Sequence, residues 1–250
     1  MATRPIIEGR NITIAYSGRT ILRNINFEVY PGEIFVIVGG SGCGKSSLLR
    51  QIIGLENPAE GEVFIDGDCL TRARGEERRK ILRKFGVLFQ SSGLFASMTL
   101  EENIDLVLEN FSHLSRKMRR EMIDLKLRSV GLDGFQSFLP NEISGGMKKR
   151  AALARAMALD PKILAFDEPS SGLDPVTAAA LDDLINEINK NLGTTMIVVT
   201  HDLESIFSIS SRVILLDKEK KGEIAMGDPR ELRKDKSNEK VYNFFNRISK

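Results

Sequence analysis

An apolar run that breaks into a glycine loop constrains this chain more than any other stretch. Ile34-Phe35-Val36-Ile37-Val38 leads directly into Gly39-Gly40-Ser41-Gly42-Cys43-Gly44-Lys45-Ser46, and Ser47-Leu48-Leu49-Arg50-Gln51-Ile52-Ile53 continues with helical character. The loop satisfies G-x-x-x-x-G-K-[ST] without a mismatch, in the strand-then-helix context that a phosphate cradle needs. Glycines let successive backbone amides face an anion with no side chain in the way, and the helix behind them adds its positive end. On this reading Gly39, Gly40, Ser41, Gly42, Cys43, Gly44, Lys45, Ser46 and Ser47 bind a nucleotide. Lys45 supplies a point charge to the β- and γ-phosphates. The Ser46 hydroxyl joins a Mg2+ shell, because a hard cation takes oxygen ligands.

A second apolar run, Ile163-Leu164-Ala165-Phe166, ends in two adjacent carboxylates, Asp167 and Glu168. Acids at the carboxyl end of a buried strand are costly unless a cation or hydrogen bonds satisfy them. Successive strand residues point to opposite faces, so the two have different tasks. Asp167 fits the acid that holds Mg2+, and Glu168 fits the base that positions or deprotonates an attacking water.

Between these halves lies Ile143-Ser144-Gly145-Gly146-Met147, followed by a strong helix-forming stretch through Ala156. Ser144 is a good N-cap, so Gly145 and Gly146 present free N–H groups at a positive helix end. Such an end attracts a phosphate, yet the chain already has a loop for its own nucleotide. The segment resembles the signature motif of ATP-binding-cassette (ABC) ATPases, and other elements of that family occur in the expected order. Gln90 resembles the Q-loop glutamine, whose amide oxygen reaches Mg2+; Ser171-Gly172-Leu173-Asp174 resembles the D-loop. His201 resembles the switch histidine at the γ-phosphate, and Tyr16 resembles the aromatic that stacks on adenine. The resemblance implies a head-to-tail homodimer with two ATP molecules sandwiched between the P-loop of one copy and Ser144, Gly145 and Gly146 of the other. It implies Glu168, His201 and Lys45 as the catalytic set, with Ser46, Gln90 and Asp167 around the metal.

The chain of 250 residues is long enough for one α/β domain with subdomains. The expected organisation is a P-loop NTPase core with a mostly parallel sheet and an N-terminal antiparallel β subdomain, at residues 1–90 and 144–228. A helical subdomain is inserted at 91–143, and a tail runs from 229 to 250. The capping box Thr99-Leu100-Glu101-Glu102 and the helical spacing of Leu100, Ile104, Val107, Leu108 and Phe111 mark that insertion. Val241, Tyr242, Phe244, Phe245 and Ile248 mark a docking helix in the tail. No apolar run approaches the roughly 18 residues of a membrane span, and Met1-Ala2-Thr3-Arg4-Pro5 lacks a secretory core. The expected location is therefore cytoplasmic. Two cysteines, Cys43 and Cys69, provide neither a disulfide scaffold nor a zinc site.

Net charge is +2 with no Trp and three Tyr, which argues against a nucleic-acid partner. Basic residues crowd Arg72 to Lys84 and Arg116 to Arg120, either as solvated helix faces or as a surface for anionic headgroups or an acidic partner. His113 has no motif around it and reads as surface.

Met147 stands where the commonest ABC signature has Gln. Gly145-Gly146-Met147-Lys148-Lys149-Arg150 and the apolar exit from Gln90 resemble the branch associated with maintenance of lipid asymmetry and mammalian-cell-entry proteins. That resemblance implies an ATPase subunit on the cytoplasmic face of the inner membrane. It would drive separate transmembrane permease subunits, with phospholipid or another hydrophobic substrate delivered by a lipid-binding protein. A polar amino-acid or ion importer is the alternative, and a non-transport ABC-type regulatory ATPase the next.

Overall fold

A computed structural model describes residues 4–248; Met1 to Thr3 of the N-terminal segment and Ser249 and Lys250 of the tail lie outside it. Alternating apolar and polar residues build the first sheet. β1 (Ile7–Tyr16) and β2 (Arg19–Val29) pair antiparallel across Ser17-Gly18, whose positive φ values of 49° and 77° match a hairpin turn to strand twist. Pro31-Gly32 then turns the chain away, Glu33 N–H donating to the Tyr30 carbonyl at 3.1 Å.

The next strand, β3 (Ile34–Gly39), belongs to a different sheet. After α1 (Lys45–Ile52), β4 (Glu60–Ile65) returns to pair with β1, and the two-residue β5 (Asp68–Cys69) closes the antiparallel sheet in the order β2-β1-β4-β5. α2 (Gly75–Leu82) follows, then β6 (Phe85–Leu88). The helices α3 (Leu100–Phe111), α4 (Arg116–Ser129) and α5 (Gly145–Ala156) lead to β7 (Ile163–Asp167). Strand and helix then alternate through α6 (Pro175–Leu192), β8 (Thr195–Val199), α7 (Leu203–Ile209) and β9 (Arg212–Asp217). A hairpin strand, β10 (Gly222–Gly227), precedes α8 (Pro229–Leu232) and α9 (Glu239–Asn246). The second sheet runs β10-β9-β3-β8-β7-β6, parallel except for β10.

Continuous apolar strands are what a parallel sheet covered on both faces requires. Their alternate residues feed two cores. Val36, Val38, Phe166 and Val198 meet the helices α3 to α7 and α9, whereas Phe35, Ile37, Ala165 and Val199 meet α1 and the antiparallel sheet. Phe166 is 1% exposed, and its replacement by Ala is expected to cost about 3–5 kcal/mol.

The capping box forms as its sequence requires: Thr99 Oγ1 accepts from Glu102 N–H at 3.2 Å, and Thr99 N–H donates to Glu102 Oε2 at 2.8 Å. Leu100, Ile104 and Leu108 are buried, but Phe111 at the last turn of α3 is 55% exposed because the helix stops at Ser112 and carries it off the core. Arg119 joins α4 to α3 through both oxygens of Asp105. The basic segments are largely partnered: Arg72 with Glu62, Lys84 with Asp66 and Asp68, Arg120 with Glu101. In the tail, Val241 and Phe245 of α9 are buried against the main core, with Phe244 edge-on to Phe245 at 5.1 Å. No helix among the described residues is long and apolar enough to cross a membrane.

Candidate active site

β3 ends on the glycine loop because Gly39 can adopt φ 146°; a Cβ there would stand 2.5 Å from the Leu216 carbonyl oxygen and 2.7 Å from Cys43 Sγ. Cys43 is turned into the core, 1% exposed, and burial pushes its thiol up from the ordinary range. Expected from the sequence among the nucleotide-binding residues, Cys43 does not line the cleft. Lys45 Nζ reaches back over the loop and donates to the carbonyls of Gly39 at 3.0 Å and Gly40 at 3.3 Å. Ser46 Oγ donates to Asp167 Oδ1 at 2.9 Å, which joins the loop to the end of β7.

Asp167 and Glu168 part company, but not by strand alternation, because β7 ends at Asp167. Glu168 leaves the strand with φ 50°, a conformation that costs a non-glycine residue roughly 1–2 kcal/mol. Its N–H donates to the Val199 carbonyl at 2.9 Å, and its carbonyl accepts from Ser171 N–H at 3.2 Å. That torsion aims the carboxylate at His201, whose Nδ1 lies 2.9 Å from both oxygens. A carboxylate only accepts, so the contact holds the imidazole in its Nδ1–H form. Backbone strain of this kind is characteristic of functional sites.

The loop from Gly39 to Ser47 without Cys43, together with Glu168, His201, Tyr16 and Gln90, lines one cleft of about 730 Å³, within the usual size for a bound small molecule; Asp167 stands behind Ser46, its partner, and is not part of the lining. Tyr16, 40% exposed, donates its hydroxyl to Glu56, and burial followed by that bond holds the phenol above its ordinary range. Gln90 Nε2 donates to Ser171 Oγ at 3.2 Å. A neighbouring cleft of about 540 Å³ shares Glu168, His201 and Phe244 and adds Ser170, Ser171 and Gly172.

Several of the residues singled out in the sequence lie elsewhere. Ser144 and Gly145 are exposed at the start of α5, beside α6 and outside both clefts. Ser144 Oγ accepts from Met147 N–H at 3.3 Å, as an N-cap does. Gly146 is packed: a Cβ there would lie 2.4 Å from Thr177 Cγ2. Asp174 Oδ1 caps α6, accepting from the Val176 and Thr177 N–H groups, while Oδ2 accepts from the Thr177 hydroxyl, and the hydroxyl bond foremost holds the carboxyl below the ordinary range. Two residues absent from the sequence-derived set, Ile21 and Phe244, do line the cleft. Phe244 stands in the amphipathic tail visible in the sequence, but nothing local says which tail residue reaches the site.

A glycine loop between strand and helix, a serine–carboxylate pair at its foot and a strained glutamate above define a P-loop nucleotide-binding protein. A family model described as ABC transporter matches residues 22–171, more than half of the chain. The intermembrane phospholipid transport system ATP-binding protein MlaF of Haemophilus influenzae is 39% identical over 86% of this chain and 81% of its own length. The methionine import ATP-binding protein MetN of Geobacillus kaustophilus is 41% identical over 79% of this chain and 58% of its own length. An ATP-binding cassette solved as a dimer in a post-hydrolysis state bound to ADP and Pi superposes with a TM-score of 0.80, at 33% identity, covering 89% of this chain and 98% of that one. The chain belongs to the ABC transporter family as an ATP-hydrolysing subunit.

Proposed function

We propose that two copies of this chain close head to tail on two ATP molecules and drive a separate membrane permease that moves phospholipid. The observation that carries the reading is the separation of α5 from its own cleft. The chain has a complete phosphate loop, yet Ser144 and Gly145 offer a second anion-seeking helix end that is exposed elsewhere. A second copy related by two-fold symmetry supplies the phosphate for it. The dimeric cassette with ADP and Pi supports this arrangement.

In that dimer Lys45 neutralises phosphate charge, Tyr16 receives the adenine, and Glu168 accepts a proton from the attacking water while His201 holds the carboxylate in place. Ser46 Oγ and Asp167 Oδ1, 2.9 Å apart, would hold Mg2+ together with the Gln90 amide oxygen, an all-oxygen donor set of the kind that ion takes. When bound there, Mg2+ would neutralise charge on the transferring phosphate. Closure favoured by the γ-phosphate and released on its loss is then transmitted to the permease through the Gln90 loop.

The phospholipid substrate rests on the likeness to MlaF and on the Met147 signature, and it brings with it a lipid-binding protein and a place on the cytoplasmic face of the membrane. A polar amino-acid or ion importer is the second reading; the comparable identity to MetN supports an amino-acid importer, though methionine itself is apolar. Purification of the chain with its membrane partners, lipid analysis by mass spectrometry and ATPase assay of wild type and Glu168→Gln test both. Permease subunits with enriched phospholipid and Glu168-dependent turnover are the expected result. Turnover stimulated by an amino acid and a soluble binding protein would replace the lipid reading with the importer.

A further inference from the structure

α5 does more than present Ser144. Two cations on its flank reach across to the segment that follows β6 and grip its main chain. Lys149, 5% exposed, donates from Nζ to the Gln90 carbonyl at 2.6 Å. Arg155 donates from Nη1 to the Gly93 carbonyl at 2.6 Å and from Nη2 to the Ser92 carbonyl at 3.1 Å. Neither takes part in an ion pair among the described residues. Burial lowers the proton affinity of both, offset in part at Lys149 by the Glu168 charge. A cation drawn out of water without a counter-ion is retained only if its hydrogen bonds are good. Here the three acceptors are all carbonyls of one short loop.

The loop is shaped to offer them. β6 stops at Leu88, so the carbonyls beyond it have no strand partner. Ser92 and Gly93 are both left-handed, with φ of 63° and 62°, and Ser92 is 7% exposed. A non-glycine residue persists in that conformation when its surroundings over-determine it. A Cβ at Gly93 would stand 3.3 Å from Arg155 Nη2, so the guanidinium occupies the space that glycine leaves. Beyond the clamp, the Gln90 amide reaches Ser171, whose own N–H holds the Glu168 carbonyl.

We propose that Lys149 and Arg155 are positioning residues that make residues 90–93 a rigid extension of α5, so that the helix bearing Ser144 sets where the Gln90 amide stands in the cleft. The proposal rests on the reading of Gln90 as a nucleotide-site residue. It adds that Gln90 takes its place from α5 and not from β6. Movement of the exposed end of α5 on contact with a second copy is thereby carried to Gln90 without an intervening hinge.

Hydrogen exchange and ATPase kinetics on the full-length Lys149→Met and Arg155→Met variants test this, with Lys149→Arg and Arg155→Lys as conservative partners. Amides in residues 90–94, above all Ser92 N–H, which donates to the Phe89 carbonyl at 2.9 Å, should exchange at least about tenfold faster in both Met variants while β6 and α5 keep their protection. kcat should fall about tenfold with half-saturating ATP shifted less than about threefold. The conservative variants should restore both readouts. Unchanged exchange in the loop overturns the proposal, and so does loss of protection spread through α5 and β6, which would make the cations general packing. Exchange as expected with kcat unmoved would keep the clamp and remove Gln90 from the catalytic site. That outcome is distinguishable from a failure of the clamp itself.

Discussion

Glu168 owes its position to one torsion and one imidazole. φ of 50° turns the carboxylate out of β7, and His201 Nδ1 holds both oxygens at 2.9 Å. Glu168→Gln keeps the phosphate loop and loses the proton acceptor, so kcat should fall by at least about 100-fold with nucleotide affinity changed by less than about threefold. Equilibrium binding of a fluorescent nucleotide beside steady-state turnover checks both parts. Lys45→Ala should do the reverse and weaken binding itself. Asp182 makes a separate prediction. It lies on α6, 4% exposed, and burial pushes its carboxyl up to about 6 from 3.8, the Ser205 hydroxyl opposing and Asp202 and Asp183 adding to the rise. Between those pH values the folded chain keeps a proton that the unfolded chain has released. Stability therefore falls as pH rises from about 4 to about 6, by on the order of 3 kcal/mol. Asp182→Asn should be more stable than wild type in urea at pH 7.5 and similar to it near pH 4. Neither feature is visible locally in the sequence: the two carboxylates at 167 and 168 are legible as an adjacent pair at the end of an apolar run, but the left-handed turn and the burial of Asp182 arise only from packing between elements distant in the chain.

Helix starts are the most legible elements, because a capping side chain and the N–H that donates to it lie within four residues. Thr99 and Ser144, both read as caps, cap the helices that follow them, and so does Asp174, which the sequence marks only as part of the D-loop. What their spacing could not convey is which neighbour each helix end meets. Gly146 reads as a free N–H in the motif, and in the fold it is also the position where α5 approaches Thr177 of α6. Gly146→Ala should therefore destabilise the fold by about 1–3 kcal/mol, measured by chemical denaturation, because Thr177 is itself tied to Asp174 and has little room to yield. Ser144→Arg acts at the exposed side of the same helix end. It should leave nucleotide binding by the monomer intact and abolish hydrolysis that depends on the dimer. The clamp from Lys149 and Arg155 belongs with what stayed hidden, since some sixty residues separate the cations from the carbonyls they hold.

The two sheets divide the labour of the fold: the mixed sheet carries Asp167, Glu168 and His201 at the carboxyl ends of its strands, and the antiparallel sheet brings Tyr16 to the rim. Ligand sites at strand carboxyl ends are the rule for open α/β sheets, so the site's location follows from the strand order. If two such sites form only between copies, turnover per subunit should rise with protein concentration, and ATP added to Glu168→Gln should shift its sedimentation from monomer to dimer. A concentration-independent rate from a monomer would refute the sandwich. α9 brings the opposite end of the chain to this place, since Phe244 lines both clefts and Arg247 lines the one beside the Ser170 to Gly172 loop. Any affinity tag, fluorescent fusion or cross-linker joined behind α9 starts at the lip of the nucleotide cleft. β1 runs ten residues from Ile7 to Tyr16, so Ile7 lies roughly 30 Å of extended chain away from the Tyr16 end at the cleft. Kinetics measured on a tail-labelled protein would report the label as well as the enzyme, and the N-terminal side is the one on which to build reporters.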